Sequence, residues 1–423
     1  MTQHPDAPRT GWKRNLRRLW LAQSSSLLGL QVSLIALPLV AIDVLHAGAT
    51  EVGLLALAAQ LPWLILPPII GALADRSDRK RLLVISHLGR ALLWLTIPVG
   101  YLLGVLTLQQ LFVVLPIVGI LGMIFDIAYR SFLPGVVPVS ELDAANGRLA
   151  ATDAVARSAG PAIAGLLVQA VTAPVALLVQ AGTALLAALS TQSIRTEDRP
   201  PVRERRAVGP ASWARDIADG FRCLMRIRPL RWITLAETLY LFFFDLIFAV
   251  LIVFLRTTIG LGAGLIGVIF AVGSLGGLVG ALVVVRLRRR FGFDRILVLT
   301  AILRGVGLLL LPLSLAFDPD VRLVVLIAAR ALNACAWSGF EVLAQTYQQS
   351  VLPDRSRASA TAASLWIGRG AEVAGAATAA VLVGVVGLTP LLVAAGLGGT
   401  LAGLVTLAVR TVATGPGPER DGH

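Results

Sequence analysis

Long apolar runs recur twelve times along this chain, and that recurrence limits its fold more than any other feature. A helix needs about 20 mostly apolar residues to cross the hydrocarbon core of a bilayer. Runs of that length fall at roughly 17–45, 51–74, 82–104, 109–133, 146–170, 174–194, 231–257, 264–286, 295–316, 321–347, 359–386 and 390–411. Inside lipid every backbone polar group must be satisfied within the segment. The pattern therefore predicts an all-α membrane protein with twelve transmembrane helices. Composition agrees: 56% of the 423 residues are hydrophobic and 14% charged, against about 45–50% and 25% in soluble domains. Single soluble cores stop growing near 250–300 residues, so a soluble enzyme, a secreted module and a disordered chain are excluded.

The net charge of +13 invites a nucleic-acid reading, but the placement of the charges argues otherwise. Basic residues gather at Arg9–Arg18, at Arg76–Arg81, from Arg195 to Arg231, from Arg286 to Arg295, and at Arg355 and Arg357. These are alternate connections, and the intervening ones carry almost no Lys or Arg, Arg322 being the exception. By the positive-inside rule the basic side is cytoplasmic, which places both termini in the cytoplasm. The basicity also predicts contact with anionic lipids. The apolar stretch from Leu19 to Leu45 exceeds the 7–15 residues of a signal-peptide core, so it reads as a retained first span. Cys223, Cys335 and four scattered His residues give neither a disulfide framework nor metal spacing.

One connection is long. Between Arg195 and Arg231 it begins rich in Pro and Arg, then places Trp213, Ile217, Phe221 and Leu224 at helical spacing with Arg215, Arg222 and Arg226 off that stripe. This reads as an amphipathic helix in the membrane interface, with a partner-docking helix as the alternative. The organisation expected is a six-span bundle over 1–194, a linker over 195–230 and a second six-span bundle over 231–423. Spans three and nine both open on an arginine, Arg81 and Arg295, and meet a second nine residues on, Arg90 and Arg304. Upstream, Gly71-Ala72-Leu73 and Gly280-Ala281-Leu282 read as a second match, with a five-residue difference between the loops. A duplication of six spans is expected.

The loop after span two reads Gly71-Ala72-Leu73-Ala74-Asp75-Arg76-Ser77-Asp78-Arg79-Lys80-Arg81. It resembles the signature loop of the major facilitator superfamily, G-x-L-x-D-R-x-G-R-R, at Gly71, Leu73, Asp75, Arg76, Arg79 and Lys80; Asp78 stands where a glycine is usual. In this reading Gly71 permits close helix approach, and the acid among cations bridges to a neighbouring helix end as a breakable gate. Span five carries Arg157-Ser158-Ala159-Gly160-Pro161-Ala162-Ile163-Ala164-Gly165. It is similar to the antiporter motif of facilitator exporters at Gly160, Pro161 and Gly165, with Ala156 and Ala164 in place of two glycines.

Charges inside spans are costly and default to functional hypotheses. Asp126 and Arg130, Asp153 and Arg157, and Arg369 and Glu372 stand at i,i+4 or i,i+3, where each pair can satisfy itself along one helix face. Glu237, Asp245 and Glu341 have no basic residue at those spacings. Desolvation favours the protonated form of an acid, as proton transport requires, and the deep position of Asp245 makes it the first coupling candidate. Arg330, Asn333 and Trp337 follow one another along span ten, while Tyr240 and three phenylalanines precede Asp245; span one supplies Gln23 and Gln31.

The resemblance covers essentially the whole chain and is nearest the enterobactin-exporter and macrolide-efflux branch of the drug:proton antiporters. It implies that spans one, four, seven and ten line a cavity, so that Gln23, Gln31, Asp126, Arg130, Tyr240, Arg330, Asn333 and Trp337 meet substrate. The implied activity is export of a small amphipathic molecule by alternating access in exchange for protons. An uptake permease, or a membrane scaffold or sensor, is the alternative. The expected setting is the inner membrane, as a monomer among lipids, with no nucleic acid, metal or cofactor. No phosphate-binding G-x-x-x-x-G-K-[ST] loop is present, which leaves ATP-driven transport unsupported.

Overall fold

The structure, a computed structural model, describes residues 11–194, 210–352 and 354–409. In chain order its helices are α1 (Trp12–Leu39), α2 (Ala49–Ile65), α3 (Pro67–Arg76), α4 (Arg79–Leu102), α5 (Leu108–Val136), α6 (Leu142–Val171) and α7 (Ala173–Gln192). After the linker come α8 (Pro210–Arg226), α9 (Arg228–Val253), α10 (Ala263–Phe291), α11 (Phe293–Leu313), α12 (Pro319–Val351), α13 (Asp354–Val386) and α14 (Leu388–Leu404). Among the described residues, eleven helices are long and apolar enough to cross a membrane. The twelfth span is divided. Pro67 cannot donate to the helical ladder and Pro68 follows it, so the run expected at 51–74 breaks at Leu66 into α2 and α3.

Large apolar side chains cover the outer faces, Leu102 at 71% and Val385 at 79% exposure among them. Such surfaces suit lipid rather than water. Helix starts follow local chemistry. Thr107 accepts from the Gln110 amide at 3.3 Å, and Asp78 accepts from the Arg81 amide at 3.0 Å. Asp78, the departure from the facilitator loop, is therefore the N-cap of α4.

The duplication is regular. Arg90 and Arg304 are 214 residues apart, and the same interval relates the starts of α2 and α10 and of α4 and α11. It also relates the π-helical turns that close α1 (Val40–Val44) and α9 (Phe254–Thr258). The pairing of the two glycine-led triplets is off this register: Gly280 corresponds to Leu66, the break of span two. Packing repeats as well. α1 packs on α6 and α7 as α9 packs on α13 and α14, and α4 packs on α5 and α7 as α11 packs on α12 and α14. Corresponding core positions include Leu19 and Ile233, and Leu83 and Leu297.

The chain forms two compact units. One comprises 1–48, 58–210 and 261–271; the other comprises 49–57, 211–260 and 272–423. The start of α2 thus belongs with the second unit and the start of α10 with the first. In the first unit, a Cβ built on Gly267 would lie 3.0 Å from the Gly165 Cα; in the second, one on Gly53 would lie 3.0 Å from the Ala380 Cα. Gly53 and Gly267 are 214 residues apart. Glycine is needed at both because helix backbones meet there.

The amphipathic helix forms as α8 and docks on its own chain. Leu224 is buried with Leu230, Ala360 and Ala363, Ile217 packs against that cluster, and Gly220 abuts Ser359. Phe221 points outward at 45% exposure, because the stripe read from spacing is rotated toward the face that Gly220 opens. The Pro- and Arg-rich start of the linker and the Trp213 side chain lie outside the described residues.

Candidate functional site

Spacing along three helices of the second unit assembles the site. On α9, Ile233, Thr234, Glu237, Thr238 and Leu241 share a face, and Trp337, Glu341, Ala344, Gln345 and Gln348 do so on α12. Facing them on α13 are Ser364, Leu365, Gly368, Arg369 and Glu372. Together they bound a cavity of about 340 Å³. Three glutamates reach it, each with a different neighbour. Glu237 forms an ion pair with Arg304 of α11, Glu372 accepts from Arg369 at 2.7 Å, and Glu341 accepts from Gln345 at 2.5 Å.

Behind the wall stands a buried polar network. The Arg304 side chain is fully buried, with its guanidinium 3.9 Å from the Tyr240 ring centroid and 3.8 Å from that of Phe340. It also donates to the Ala236 carbonyl at 3.3 Å. Asn333 donates at 2.8 Å to both the Tyr240 hydroxyl and the Arg304 carbonyl, and Arg330 donates to Asn333 at 2.8 Å. Buried polar groups that are bonded to one another fix a unique arrangement. Here they hold Arg304 against Glu237 at the edge of the cavity. Trp337, Leu241, Ile233 and Leu365 form the apolar part of the wall, and the Phe244 ring, its centroid 5.2 Å from that of Trp337, backs it.

Of the residues expected from sequence, Glu237, Tyr240, Arg330, Asn333, Trp337 and Glu341 come together here. Asp245 lies two turns beyond Glu237 on α9, buried and away from the lining. Glu237, with no basic residue at i±3 or i±4 on its own helix, finds one across helices. In the first unit, Gln23 is half-buried, and Gln31 packs against Gly160, where a built Cβ would lie 2.8 Å from the Gln31 Cβ. Asp153 and Arg157 pair at 2.8 Å and Arg369 pairs with Glu372 as spacing predicted. Asp126 and Arg130 are both exposed, and Asp126 acts electrostatically on Arg90 of α4.

In the signature loop, a Cβ at Gly71 would meet nothing within 4 Å among the described residues. Arg79 and Lys80 begin α4, half-buried, while the Asp75 and Arg76 side chains lie outside the described residues. Pro161 stands inside α6 beside Gly160, and Gly165 meets α10.

Sequence reasoning missed Glu372 as a lining group and Arg304 as the hub. The interval of 214 was the clue. It aligns Arg304 with Arg90, Glu237 with Gln23, Tyr240 with Ser26 and Asp245 with Gln31. Among the described residues no group of three His, Cys, Asp or Glu could hold a metal.

The sequence matches the family model described as Major Facilitator Superfamily over residues 19–317. It is 26% identical over 370 residues to the uncharacterized MFS-type transporter y4rN of Sinorhizobium fredii, covering 86% of this chain and 87% of that protein. A 29% identity to the uncharacterized MFS-type transporter YfiS of Bacillus subtilis spans 42% of this chain and only 41% of that protein. Macrolide efflux protein A of Streptococcus pyogenes is 24% identical over 55% of this chain and 56% of its own length. Among solved structures, a point mutant of the nucleoside transporter NupG superposes with a TM-score of 0.74 at 14% identity, covering 93% of this chain and 99% of that one. A bacterial homolog of the human lysosomal transporter Spinster, inward-facing and unoccupied, gives 0.72 at 15% identity, covering 97% of this chain and all of that one.

Proposed function

The chain belongs to the Major Facilitator Superfamily, and from that premise we propose that this transporter exports a small amphipathic molecule in exchange for protons. The supporting observation is the Glu237–Arg304 ion pair at the edge of a cavity that mixes three glutamates with Trp337 and Leu241. A proton and a guanidinium compete for one carboxylate. When Glu237 binds a proton, the attraction that holds α9 to α11 is lost; when it releases the proton, the attraction returns. A carboxylate with two such states can bias a two-state transporter. Glu237 thereby takes precedence over Asp245, because it lines the cavity. Glu341, bonded to the neutral Gln345 amide, is the carboxylate complementary to a basic solute, while Glu372 already faces Arg369, and the Trp337 face suits an apolar body.

The gate role of Asp75, Arg76, Arg79 and Lys80 and the antiporter role of Gly160, Pro161 and Gly165 belong to the same proposal, as do a monomeric state and an inner-membrane setting with cytoplasmic termini. The similarity to macrolide efflux protein A favours macrolides as first probes.

The test is a pump-deficient host expressing the chain or its Glu237→Gln variant, challenged with macrolides and cationic dyes. Export predicts raised resistance with the parent chain and none with the variant. Increased accumulation of the probes with the parent chain would instead establish uptake and overturn the proposal. Proteoliposomes under an imposed pH gradient then read coupling directly. If Glu237→Gln still moves protons with substrate as the parent does, the assignment of Glu237 fails and Asp245 is next.

A further inference from the structure

The two units treat one groove in opposite ways. In the second unit the groove between the first turns of α9 and α13 is filled by α8, whose Leu224 lies with Leu230 and Ala363 and whose Gly220 abuts Ser359. Counting back 214 residues, Leu230, Ser359 and Ala363 become Leu16, Ala145 and Leu149. These three buried residues are the floor of an open cavity of about 680 Å³ between the first turns of α1 and α6. The fold thus shows by its own example that this groove accepts an apolar insert.

The rims place their charges differently. Lys13, Arg17 and Arg148 border the open groove, with Glu141 the one carboxylate. The counterparts of Lys13, Arg17, Arg148 and Glu141 in the filled groove are Ile227, Arg231, Ala362 and Arg355, so these four positions sum to the same charge in both units and the open rim is distinguished by where its cations stand. Among the described residues none of the three cations is in an ion pair; the Lys13 ammonium rests 5.7 Å from the Trp12 ring centroid. Trp20 forms a fixed wall, its indole N–H donating to the Thr152 hydroxyl at 2.8 Å. An apolar floor, tryptophan walls and three cations at the basic end of two spans match a lipid headgroup region.

We propose that this groove binds an anionic phospholipid, with the acyl chain over Leu16, Ala145 and Leu149 and the phosphate among Lys13, Arg17 and Arg148. The lipid does in the first unit what α8 does in the second: it covers the floor. Its negative headgroup meets cations at Lys13 and Arg148, where the filled groove has Ile227 and Ala362. Binding here requires no proton coupling and no transported substrate.

The full-length protein, delipidated in detergent, would be titrated with phosphatidylglycerol and phosphatidylcholine of identical chains and examined by native mass spectrometry. The expected result is about tenfold preferential retention of phosphatidylglycerol, abolished in Lys13→Gln/Arg17→Gln/Arg148→Gln. Ala151→Trp, which narrows the mouth without altering charge, should reduce retention of phosphatidylglycerol and guards against a triple variant that fails to fold. Equal retention of both lipids would overturn the proposal, and so would a preference that survives both variants. Displacement of the lipid by millimolar inorganic phosphate would also overturn it, by identifying a site for the free anion.

Discussion

Glu237→Gln keeps the side-chain volume at the cavity edge and removes the charge opposite Arg304. The guanidinium is fully buried between Tyr240 and Phe340, so water does not replace the lost partner. Breaking a buried pair on one side costs about 3–5 kcal/mol. The two ring faces still hold the cation at about 0.5–2 kcal/mol each, and the Ala236 carbonyl remains within 3.3 Å, which sets the expectation near the lower end, about 3 kcal/mol. Arg304→Met leaves Glu237 charged, but that side chain is 21% exposed and keeps part of its hydration; the loss is then mostly the contact with both rings, about 2 kcal/mol. In the double variant neither charge is stranded, so the losses should not add. A coupling energy of about 2 kcal/mol or more is expected. Reversible unfolding of the purified protein in a mixed-micelle titration measures all four corners of the cycle. Additivity within about 0.5 kcal/mol would refute the pair as an energetic unit. A double variant that is folded and binds substrate but moves no protons would separate coupling from stability.

Thr172 opens α7 at φ 80°, while Gly387 opens α14 at φ 83°. A β-branched residue is strained there, so Thr172→Gly should stabilise by about 1 kcal/mol and Gly387→Thr destabilise by about 1–3, read as opposite shifts in thermal stability. Asp78→Ala removes the N-cap of α4 at a cost of about 1 kcal/mol, and Asp78→Gly should cost only a few tenths, measured by the same scan. A Cβ at Gly267 would crowd Gly165, whereas one at Gly71 meets nothing nearby among the described residues. Gly267→Ala should therefore lose about 1–3 kcal/mol and Gly71→Ala should gain up to about 1 kcal/mol from helix propensity; equal effects would refute the packing argument.

Apolar length made the spans legible, because a bilayer imposes one length on every helix. The break at Leu66 was written in Pro67-Pro68 but hidden by a hydropathy that runs straight through it. Pairs along one helix were half legible: Arg157 reached Asp153, while Asp126 acts electrostatically on Arg90 of the preceding span. Spacing fixes which side chains share a face; it says nothing of the helix that face meets. That is why Glu237 looked isolated until α11 brought Arg304 to it. α8 fails in the same way, since its amphipathic stripe gives no hint that Gly220 opens a flat approach to Ser359.

The regular interval of 214 turns the chain into its own comparison. Arg90 and Arg304 occupy one position in both units, so a buried arginine midway along the third span of each half belongs to the architecture. What surrounds it does not repeat. Around Arg304 stand Glu237, Tyr240 and Phe340; the matching positions around Arg90 are Gln23, Ser26 and Asp126. The first unit thus offers Arg90 a hydroxyl at 3.4 Å and a more distant acid on the neighbouring span, where the second offers a direct carboxylate and two ring faces. Gln23 and Gln31 are amides where Glu237 and Asp245 are acids. An amide can position a solute but cannot exchange a proton near neutral pH. At the positions of Glu237 and Asp245 the acids stand in the second unit, while the first keeps its acid at Asp126, opposite Phe340; a common scaffold with its acids placed differently is the arrangement expected if the two halves handle protons differently.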